Sequence, residues 1–221
     1  SIFTEVAYDG GVYKTLTTFG LVLLLAISTH WIWLITLYSG VGAYVKKHPF
    51  KALKTMLPAY FTAVGTMSSA ATIPVTLKQT KENEVSDEVA DFVIPLAANI
   101  HLSGSSITLI LCSTAVMVLA NGSTMPSYLE MLPFILVLGV AMVAAPGVPG
   151  GAVMAALGFL SSMLGFDETA LGLMIALYTA QDSFGTACNV TGDGAIAMLV
   201  DKWSGRKQNK AQQGIEPEVA N

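Results

Sequence analysis

Charged residues are scarce in this chain. Asp, Glu, Lys and Arg make up 12% of its 221 residues, about half of the ~25% that is usual in soluble domains. Four stretches contain no charged residue, and each exceeds the ~20 apolar residues that cross a bilayer: 15–45, 55–77, 92–129 and 131–166. So little charge cannot cover a soluble surface, which predicts an all-α integral membrane protein surrounded by the lipid bilayer.

Cysteine and concentrated positive charge are also rare. The two cysteines, Cys112 and Cys188, lie in apolar surroundings, so a disulfide framework is not expected and packing is the simplest interpretation. The formal net charge is −4, and no basic stripe is present. Nucleic acid is therefore not an expected partner.

Proline, glycine and small polar residues interrupt the apolar stretches at particular places. In the second stretch Pro58, Gly65, the segment 67–72 and Pro74 oppose one continuous helix, and in the fourth the segment 145–151 lies near the middle. The arms of the fourth stretch are about 20 Å long at ~1.5 Å per residue, too short for a ~30 Å hydrocarbon core. Both stretches are predicted to be re-entrant helical hairpins.

These breaks predict three full spanning helices plus two re-entrant hairpins. The predicted order is a span over 13–45, hairpin one over 50–78, a span over 88–120 that is interrupted at 101–106, hairpin two over 126–166, and a last span over 167–201. Broken backbone is tolerated in a membrane only where protein or a water-filled cavity satisfies its N–H and C=O groups. Paired broken segments are typical of a transporter's binding site near the midplane.

The distribution of lysine predicts the orientation. Four lysines lie in loop 46–54 after the first span, and by the positive-inside rule this loop is cytoplasmic. The lead-in 1–12 is then extracellular, the polar tail 202–221 is cytoplasmic, and the expected location is the cell membrane. Five plain spans are the alternative, but they would put Lys78 and Lys81 outside. Two hairpins keep both lysines inside.

Four polar side chains of the last span share one face. At ~100° per residue, Thr186, Asn189 and Asp193 fall within about 40° of Asp182, and the two carboxylates are about 16 Å apart. An intramembrane Asp costs at least ~2.5–3.5 kcal/mol on insertion scales, and no basic residue lies in another apolar stretch. The carboxylates are predicted to bind a proton, a cation or an amine rather than to form structural ion pairs.

Chemistry separates the roles of the two carboxylates. A hard cation such as Na⁺ prefers carboxylate and carbonyl oxygens, which Asp193, the Asn189 carbonyl and the broken backbone of 97–101 supply. A substrate ammonium group would be met by Asp182. The substrate's carboxylate would be met by Ser69, Asn189 and N–H groups at half-helix N-termini.

Three ordered motifs resemble one family of membrane transporters. They are Ser68-Ser69-Ala-Ala-Thr72-Ile-Pro74-Val-Thr in hairpin one, Gly147-Val-Pro-Gly-Gly in hairpin two, and Asn189-Val-Thr-Gly-Asp193 in the last span. Their order and spacing are similar, over about residues 13–201, to the dicarboxylate/amino acid:cation symporters, the glutamate transporters. The resemblance implies an elevator-type transport domain that carries substrate across the membrane, with hairpin two as the outer gate and no enzymatic activity.

The resemblance also implies which residues form the site. The substrate-binding positions are Met67 and Val148 through main chain, with Ser68, Ser69, Ser105, Asp182, Gly185, Thr186 and Asn189. One sodium ion is expected at Asn189, Asp193 and the carbonyls of Ala97 and His101. A second is expected at the carbonyls of Asn99, Met142, Val143 and Ala145. Na⁺ is therefore the expected coupling ion, and no covalent cofactor is expected.

Departures from the family pattern narrow the expected substrate. Members with acidic substrates carry an arginine at one of two positions. In this chain those positions hold Gly185 and Met67. Without a guanidinium to neutralise a second carboxylate, a neutral amino acid is expected, and the missing side chain is expected to free volume. Ser103 replaces a cation-binding aspartate, so a further sodium site is not expected.

Full members of the family carry additional N-terminal spans that form a static scaffold and assemble as a homotrimer. Because none precedes Tyr13 in this sequence, the scaffold helices are expected from a longer chain or from a partner chain.

Several alternatives stay open. A proton-coupled symporter, with His101 as a proton-linked group rather than a buried structural one, and an acidic-substrate symporter belong to the same family. An intramembrane aspartyl protease would need two aspartates close enough to share a proton, whereas Asp182 and Asp193 are three turns apart and Val190 replaces a motif glycine. A channel or structural subunit would not need Asp182 and Asn189 to converge.

Overall fold

The computed structural model describes residues 11–120 and 125–205. Within them all regular secondary structure is helical, in ten α-helices and one short 3₁₀ helix, which confirms the prediction of an all-α protein. Residues 1–10, 121–124 and 206–221 lie outside the described residues. With them lie most of the predicted extracellular lead-in 1–12 and cytoplasmic tail 202–221.

The first span is one long helix, α1 (Gly11–Val45). Its 35 residues rise about 52 Å at ~1.5 Å each, more than a ~30 Å hydrocarbon core requires. By length and composition, two stretches of the described residues are able to cross a membrane, Thr17–Val45 and Asp87–Leu119. The other apolar helices are shorter.

Hairpin one contains α2 (Pro49–Thr55), α3 (Leu57–Thr66) and α4 (Ser69–Glu82). Helix α3 ends because Met67 adopts a left-handed conformation with φ 50°. Ser68 then caps α4, since its hydroxyl accepts a hydrogen bond from the Ala71 N–H at 3.2 Å. The tip of this hairpin is therefore the Met67-Ser68 pair, inside the segment 67–72 that was predicted to interrupt the helix.

The next two apolar stretches are broken as well. Helices α5 (Asp87–Ile100) and α6 (Ser103–Ala120) are separated by His101 and Leu102. In hairpin two, α7 (Tyr128–Ala141) continues as a 3₁₀ helix over Met142–Ala144, and α8 (Gly151–Leu164) follows. The segment 145–150 between them is the non-helical tip, in which Gly150 has φ 72°, a conformation that glycine adopts without steric cost.

The last span differs from the single helix expected over 167–201. It consists of α9 (Glu168–Thr179) and α10 (Asp182–Ser204), with a turn at Ala180 and Gln181. The Gln181 N–H donates to the Tyr178 carbonyl at 2.9 Å, three residues back instead of four. This tighter turn ends α9, and α10 begins at the next residue. Asp182 therefore lies in the first turn of α10, where the helix dipole stabilises negative charge.

Helix α10 is at the centre of the molecule. It packs against α1, α3, α4, α5 and α6, and its residues from Gly185 to Ala195 are all buried. Large apolar side chains on other helices face outward instead, among them Leu24, Phe61 and Leu136, each more than 60% exposed. Polar groups inside and apolar groups outside are the arrangement that a lipid environment favours.

Lysine side chains form ion pairs at the two ends of hairpin one, and the pair of Lys47 connects these ends. Lys47 forms an ion pair with Glu84 at 3.2 Å and donates to the Asn83 carbonyl. Lys81 pairs with Asp91 at 2.8 Å, and the hydrogen bond between them raises the pKa of Lys81 above its usual value. Loop 46–54 and the linker after α4 thus lie side by side, so hairpin one returns to the end from which it started.

Candidate functional site

The tips of the two hairpins contact each other. The Ser68 hydroxyl donates to the Gly147 carbonyl at 2.9 Å, and the Ala70 N–H donates to the same oxygen at 3.2 Å. A Cβ at Gly147 would lie 2.5 Å from the Ala98 carbonyl oxygen. Only glycine permits this approach of one hairpin to the other and to the end of α5.

A small pocket lies beneath the tips, at the point where four helices begin. Residues at or next to the N-termini of α4, α6, α8 and α10 contribute to its walls, and these N-termini carry partial positive charge. The cavity measures about 10 Å³, room for the centre of about one water molecule. Its lining residues are Met67, Ser69, Leu102, Ser105, Pro146, Gly147, Val148, Ala152, Tyr178, Asp182, Thr186 and Asn189.

Seven of the nine residues expected at the substrate line this pocket: Met67, Ser69, Ser105, Val148, Asp182, Thr186 and Asn189. Ser68 does not, because its hydroxyl is used in the contact between the tips. Gly185 does not either, since a Cβ there would lie 3.2 Å from Thr108 Oγ1 and 3.5 Å from Gly104. The volume expected from the missing arginine is occupied by the close approach of α6 to α10.

Asp182 is the charged side chain of the pocket. It is 4% exposed, and its Oδ2 accepts a hydrogen bond from the Gly150 N–H at 2.7 Å. The Thr186 hydroxyl donates to Oδ1 at 3.5 Å. Among the described residues no Lys, Arg or His forms an ion pair with this carboxylate, so a main-chain N–H of hairpin two is its strongest partner.

Asn189 joins α10 to the start of α6. Its Oδ1 accepts hydrogen bonds from the N–H groups of Gly104 at 2.8 Å and Ser105 at 3.3 Å, and its Nδ2 donates to the Ser105 hydroxyl at 2.9 Å. The Asn189 side-chain oxygen is thereby fully used. One hydrogen of the side-chain amide has no acceptor among these contacts.

On its other side, the same Gly104 is held by His30 of α1. His30 is completely buried, and its Nε2 lies 3.0 Å from the Gly104 carbonyl oxygen and 3.1 Å from Thr108 Oγ1. Because a carbonyl only accepts, Nε2 carries the proton and donates. Sequence reasoning missed this contact, since a histidine in the middle of an apolar span has no local pattern that identifies its partner.

Sequence reasoning also missed Tyr178, Leu102, Pro146, Gly147 and Ala152 as residues of the pocket wall. Tyr178 lies four residues before Asp182, a spacing that places two side chains on one face of a helix. That spacing was the available signal for it. The others depend on how the two hairpins meet, which no local pattern records.

Asp193 lies about three turns along α10 from Asp182. It is completely buried, and its Oδ1 accepts a hydrogen bond from His101 Nδ1 at 2.8 Å. Its Oδ2 is buried with no hydrogen-bond partner among the described residues. A Cβ at Gly192 would lie 2.6 Å from His101 Cε1, so this glycine leaves the space that the imidazole ring fills.

The remaining residues expected at sodium ions lie around the end of α5. Helix α5, which contains Ala97 and Asn99 and is followed by His101, contacts the 3₁₀ segment Met142–Ala144, which contains Met142 and Val143 and is followed by Ala145. The described residues contain no group of three or more His, Cys, Asp and Glu side chains that is able to hold a metal ion. A cation here would be held largely by carbonyl oxygens, the ligands that hard cations prefer.

The two aspartates do not form a catalytic dyad. Asp182 accepts a hydrogen bond from Gly150, and Asp193 accepts one from His101. The two aspartates are eleven positions apart on one helix. A shared proton needs two carboxylates in contact. The geometry therefore gives no support to an aspartyl protease.

Comparisons with known proteins agree with the resemblance of the motifs. Residues 1–203 match the model of the sodium:dicarboxylate symporter family. The neutral amino acid transporter B(0) of Oryctolagus cuniculus is 27% identical over 177 residues, which cover 80% of this chain and 32% of that protein. The human B(0) protein is 25% identical over the same shares. Human neutral amino acid transporter A is 26% identical over 78% of this chain and 32% of its own length.

The chain therefore spans about a third of the length of these relatives. The family is described as one of symporters and the relatives are named as transporters, in agreement with the family that the motifs resemble and not with a family of enzymes. The broken helices, the hairpin tips and the match over residues 1–203 lead to one conclusion: this chain belongs to the sodium:dicarboxylate symporter family.

Proposed function

We propose that this chain is the transport domain of a Na⁺-coupled symporter for a small neutral amino acid. The observation that carries the proposal is Asp182, a buried carboxylate without a basic partner among the described residues, in a pocket between two hairpin tips. Such a carboxylate favours a cationic ligand group. The ammonium group of an amino acid is a suitable one, and it would take the place of the Gly150 N–H.

The pocket also suits the carboxylate of an amino acid. Residues at or next to four helix N-termini line one small volume, and N–H groups and dipoles at helix N-termini favour negative charge. Ser69 and the free amide hydrogen of Asn189 add side-chain donors. An amino acid would therefore bind with its two charged groups neutralised by different parts of the pocket.

A neutral side chain fits better than an acidic one. The residues described in the pocket wall include no Lys, Arg or His, so a second substrate carboxylate would be buried near Asp182 without a basic side chain to neutralise it. The relatives that carry the words neutral amino acid transporter in their names support this choice. The family name supports the alternative, a dicarboxylate substrate.

For the coupling ion we propose Na⁺. The unpartnered Asp193 Oδ2 is a hard anionic ligand, and the carbonyls of Ala97, His101 and the Asn189 main chain are the candidates that complete one site. The carbonyls of Asn99, Met142, Val143 and Ala145 are the candidates for a second. A proton as the driving ion is the alternative.

Hairpin two is the proposed gate. Its tip contacts Asp182 through Gly150, and the pocket below is too small for an amino acid, so entry of substrate requires the tip to move. By the family resemblance, the domain would travel as an elevator against scaffold helices within a homotrimer, with loop 46–54 and the C-terminus in the cytoplasm of a cell membrane.

The test is uptake of radiolabelled amino acids into membrane vesicles from cells that express the complete assembly, with the scaffold helices present. A panel of alanine, serine, threonine, aspartate and glutamate is offered under a sodium gradient, a proton gradient or neither. We expect saturable uptake of a small neutral amino acid that requires sodium. Uptake driven equally well without sodium would overturn the choice of ion, and preference for glutamate would overturn the choice of substrate.

A further inference from the structure

His30 is a buried polar residue of α1 that lies outside the pocket wall. It is completely buried, and its Nε2 lies 3.0 Å from the Gly104 carbonyl oxygen and 3.1 Å from Thr108 Oγ1. Its Nδ1 is buried without a hydrogen-bond partner among the described residues. An unpaired buried nitrogen costs free energy, so packing alone would favour an apolar residue at this position. What a histidine adds here is the contact of Nε2.

The start of α6, which His30 contacts, carries two residues of the pocket wall into place. Gly104 lies in the first turn of α6, directly after the break at His101 and Leu102. The first N–H groups of a helix have no partner within it, and those of Gly104 and Ser105 donate to Asn189 Oδ1 at 2.8 Å and 3.3 Å. Asn189 in turn donates to the Ser105 hydroxyl at 2.9 Å. The position of the Gly104 backbone therefore determines where the Asn189 and Ser105 side chains lie.

Gly104 has no side chain that could fix its own position. A Cβ there would lie 2.6 Å from Cys188 Cβ, so only glycine permits this approach of α6 to α10. Its carbonyl accepts from the Thr108 hydroxyl at 3.1 Å, but Thr108 belongs to α6 and moves with it. Among the described residues, His30 is the hydrogen-bond partner of this carbonyl from outside α6.

We infer that His30 is a positioning residue for substrate binding, which holds the Gly104 backbone so that Asn189 and Ser105 keep their places in the pocket wall. The inference rests on the proposed function, in which Asn189 donates to the substrate's carboxylate. The role requires one N–H donor at the position of Nε2. A glutamine side chain is long enough to place an amide nitrogen there, whereas the amide of asparagine reaches only as far as Nδ1.

The experiment measures KM and Vmax of uptake for the amino acid that the wild type transports, at saturating sodium, in vesicles with the complete assembly. His30→Gln is expected to keep the wild-type KM. His30→Asn and His30→Leu lack the donor at Nε2, so their KM is expected to rise about three- to tenfold, the contribution of one neutral hydrogen bond. Vmax, divided by the amount of transporter in the membrane, is expected to change little. A merely structural histidine would instead affect the amount of folded protein and leave KM unchanged.

Asn83→Leu is the matched control. Asn83 is buried outside the pocket wall, and its Nδ2 donates to the Ala52 carbonyl at 3.0 Å, a contact of the same kind between a side chain and the main chain of another helix. Leucine has a similar shape and removes the donor. The variant is expected to keep the wild-type KM, even if less of it reaches the membrane.

Three results would overturn the inference. One is a KM that rises in His30→Gln as much as in His30→Asn and His30→Leu, because the donor would then not be what matters. Another is an unchanged KM in His30→Asn and His30→Leu, whatever their Vmax. The third is that none of the three variants reaches the membrane, which would make His30 a residue of folding alone. A wild type without saturable uptake would instead overturn the proposed function, and the inference with it.

Discussion

Each residue of the pocket has a small number of hydrogen bonds, and these limit what it can do for a ligand. Asn189 uses both acceptor positions of its side-chain oxygen on the start of α6, so its contribution to a ligand is one N–H. Asp182 has one strong main-chain donor and one weak hydroxyl donor. A positively charged ligand group is therefore expected to gain more binding free energy at Asp182 than at Asn189.

Replacing Asp182 with Asn tests this assignment. The substitution keeps the shape and removes the charge, so a charge-assisted hydrogen bond worth about 1.5–3 kcal/mol is lost. Amino acid binding is expected to weaken about 10- to 100-fold, measured as the KM of uptake in vesicles. Glu168→Gln, an exposed carboxylate in the first turn of α9, is the control and is expected to keep the wild-type KM. Unchanged KM in Asp182→Asn would remove Asp182 from the site.

Gly192 offers a test of the contact between His101 and Asp193. In Gly192→Ala the new methyl group would overlap His101 Cε1, so either the imidazole must move from its position on Asp193 or the helices must shift. We expect a loss of about 1–3 kcal/mol of stability, as for other overpacked positions, seen as a lower midpoint of thermal unfolding in detergent.

Gly158→Ala is the matched control for this substitution. Nothing lies within 4 Å of a Cβ at Gly158, and alanine favours the helix by about 0.5–1 kcal/mol. Its midpoint is expected to stay equal or rise. Equal midpoints in the two variants would mean that the space at Gly192 is not needed for His101.

At the scale of helices and hairpins, the breaks in the membrane segments divide into two kinds. Those at Met67-Ser68 and at 145–150 lie in segments rich in proline, glycine and serine, so the sequence was sufficient to predict them. The turn at Ala180-Gln181 contains neither proline nor glycine. It is formed by the shortened hydrogen-bond spacing between Gln181 and Tyr178, and such a break has no local sequence signal.

The same division applies to the site. The face shared by Asp182, Thr186 and Asn189 follows from helix geometry and was predictable. The orientation of Gly185 toward α6 was not, because periodicity gives the face of a helix but not the neighbour that covers it. Tyr178 was predictable too, because its position four residues before Asp182 places both side chains on one helix face.

Movement of hairpin two is testable with a single cysteine. The two natural cysteines are completely buried, so labelling by a membrane-impermeant thiol reagent reports an introduced one. Val148 is 49% exposed at the tip, and Val148→Cys is expected to react. Substrate together with sodium is expected to slow the labelling severalfold by holding the tip closed.

The control for this experiment is Trp203→Cys, because Trp203 is 66% exposed at the far end of α10. Its labelling in open membranes is expected to be independent of substrate. If substrate left the rate at position 148 unchanged as well, hairpin two would not be the gate.

For the molecule as a whole, the proposed orientation in the membrane requires that hairpin one begins and ends on the same side. The ion pair of Lys47 with Glu84 brings both ends of the hairpin together. Lys51→Cys and Lys78→Cys, at two exposed positions, are therefore expected to react with an impermeant reagent from the same, cytoplasmic, side. The measurement compares right-side-out with inside-out vesicles.

Met125→Cys, exposed before α7, is the opposite-side control and is expected to react from outside. Reaction of positions 51 and 78 from different sides would mean that the second apolar stretch crosses the membrane, as in the arrangement of five plain spans.

The peptide groups around Gly104 have a mechanical consequence. The N–H of this residue donates to Asn189 of α10, and its carbonyl accepts from His30 of α1, so one glycine links the two helices. Sliding of α1 past α10 would break at least one of these buried hydrogen bonds, at a cost of about 1 kcal/mol or more each. A force on the outer helix is therefore expected to move α1 together with Asn189, so that the pocket is displaced as a unit.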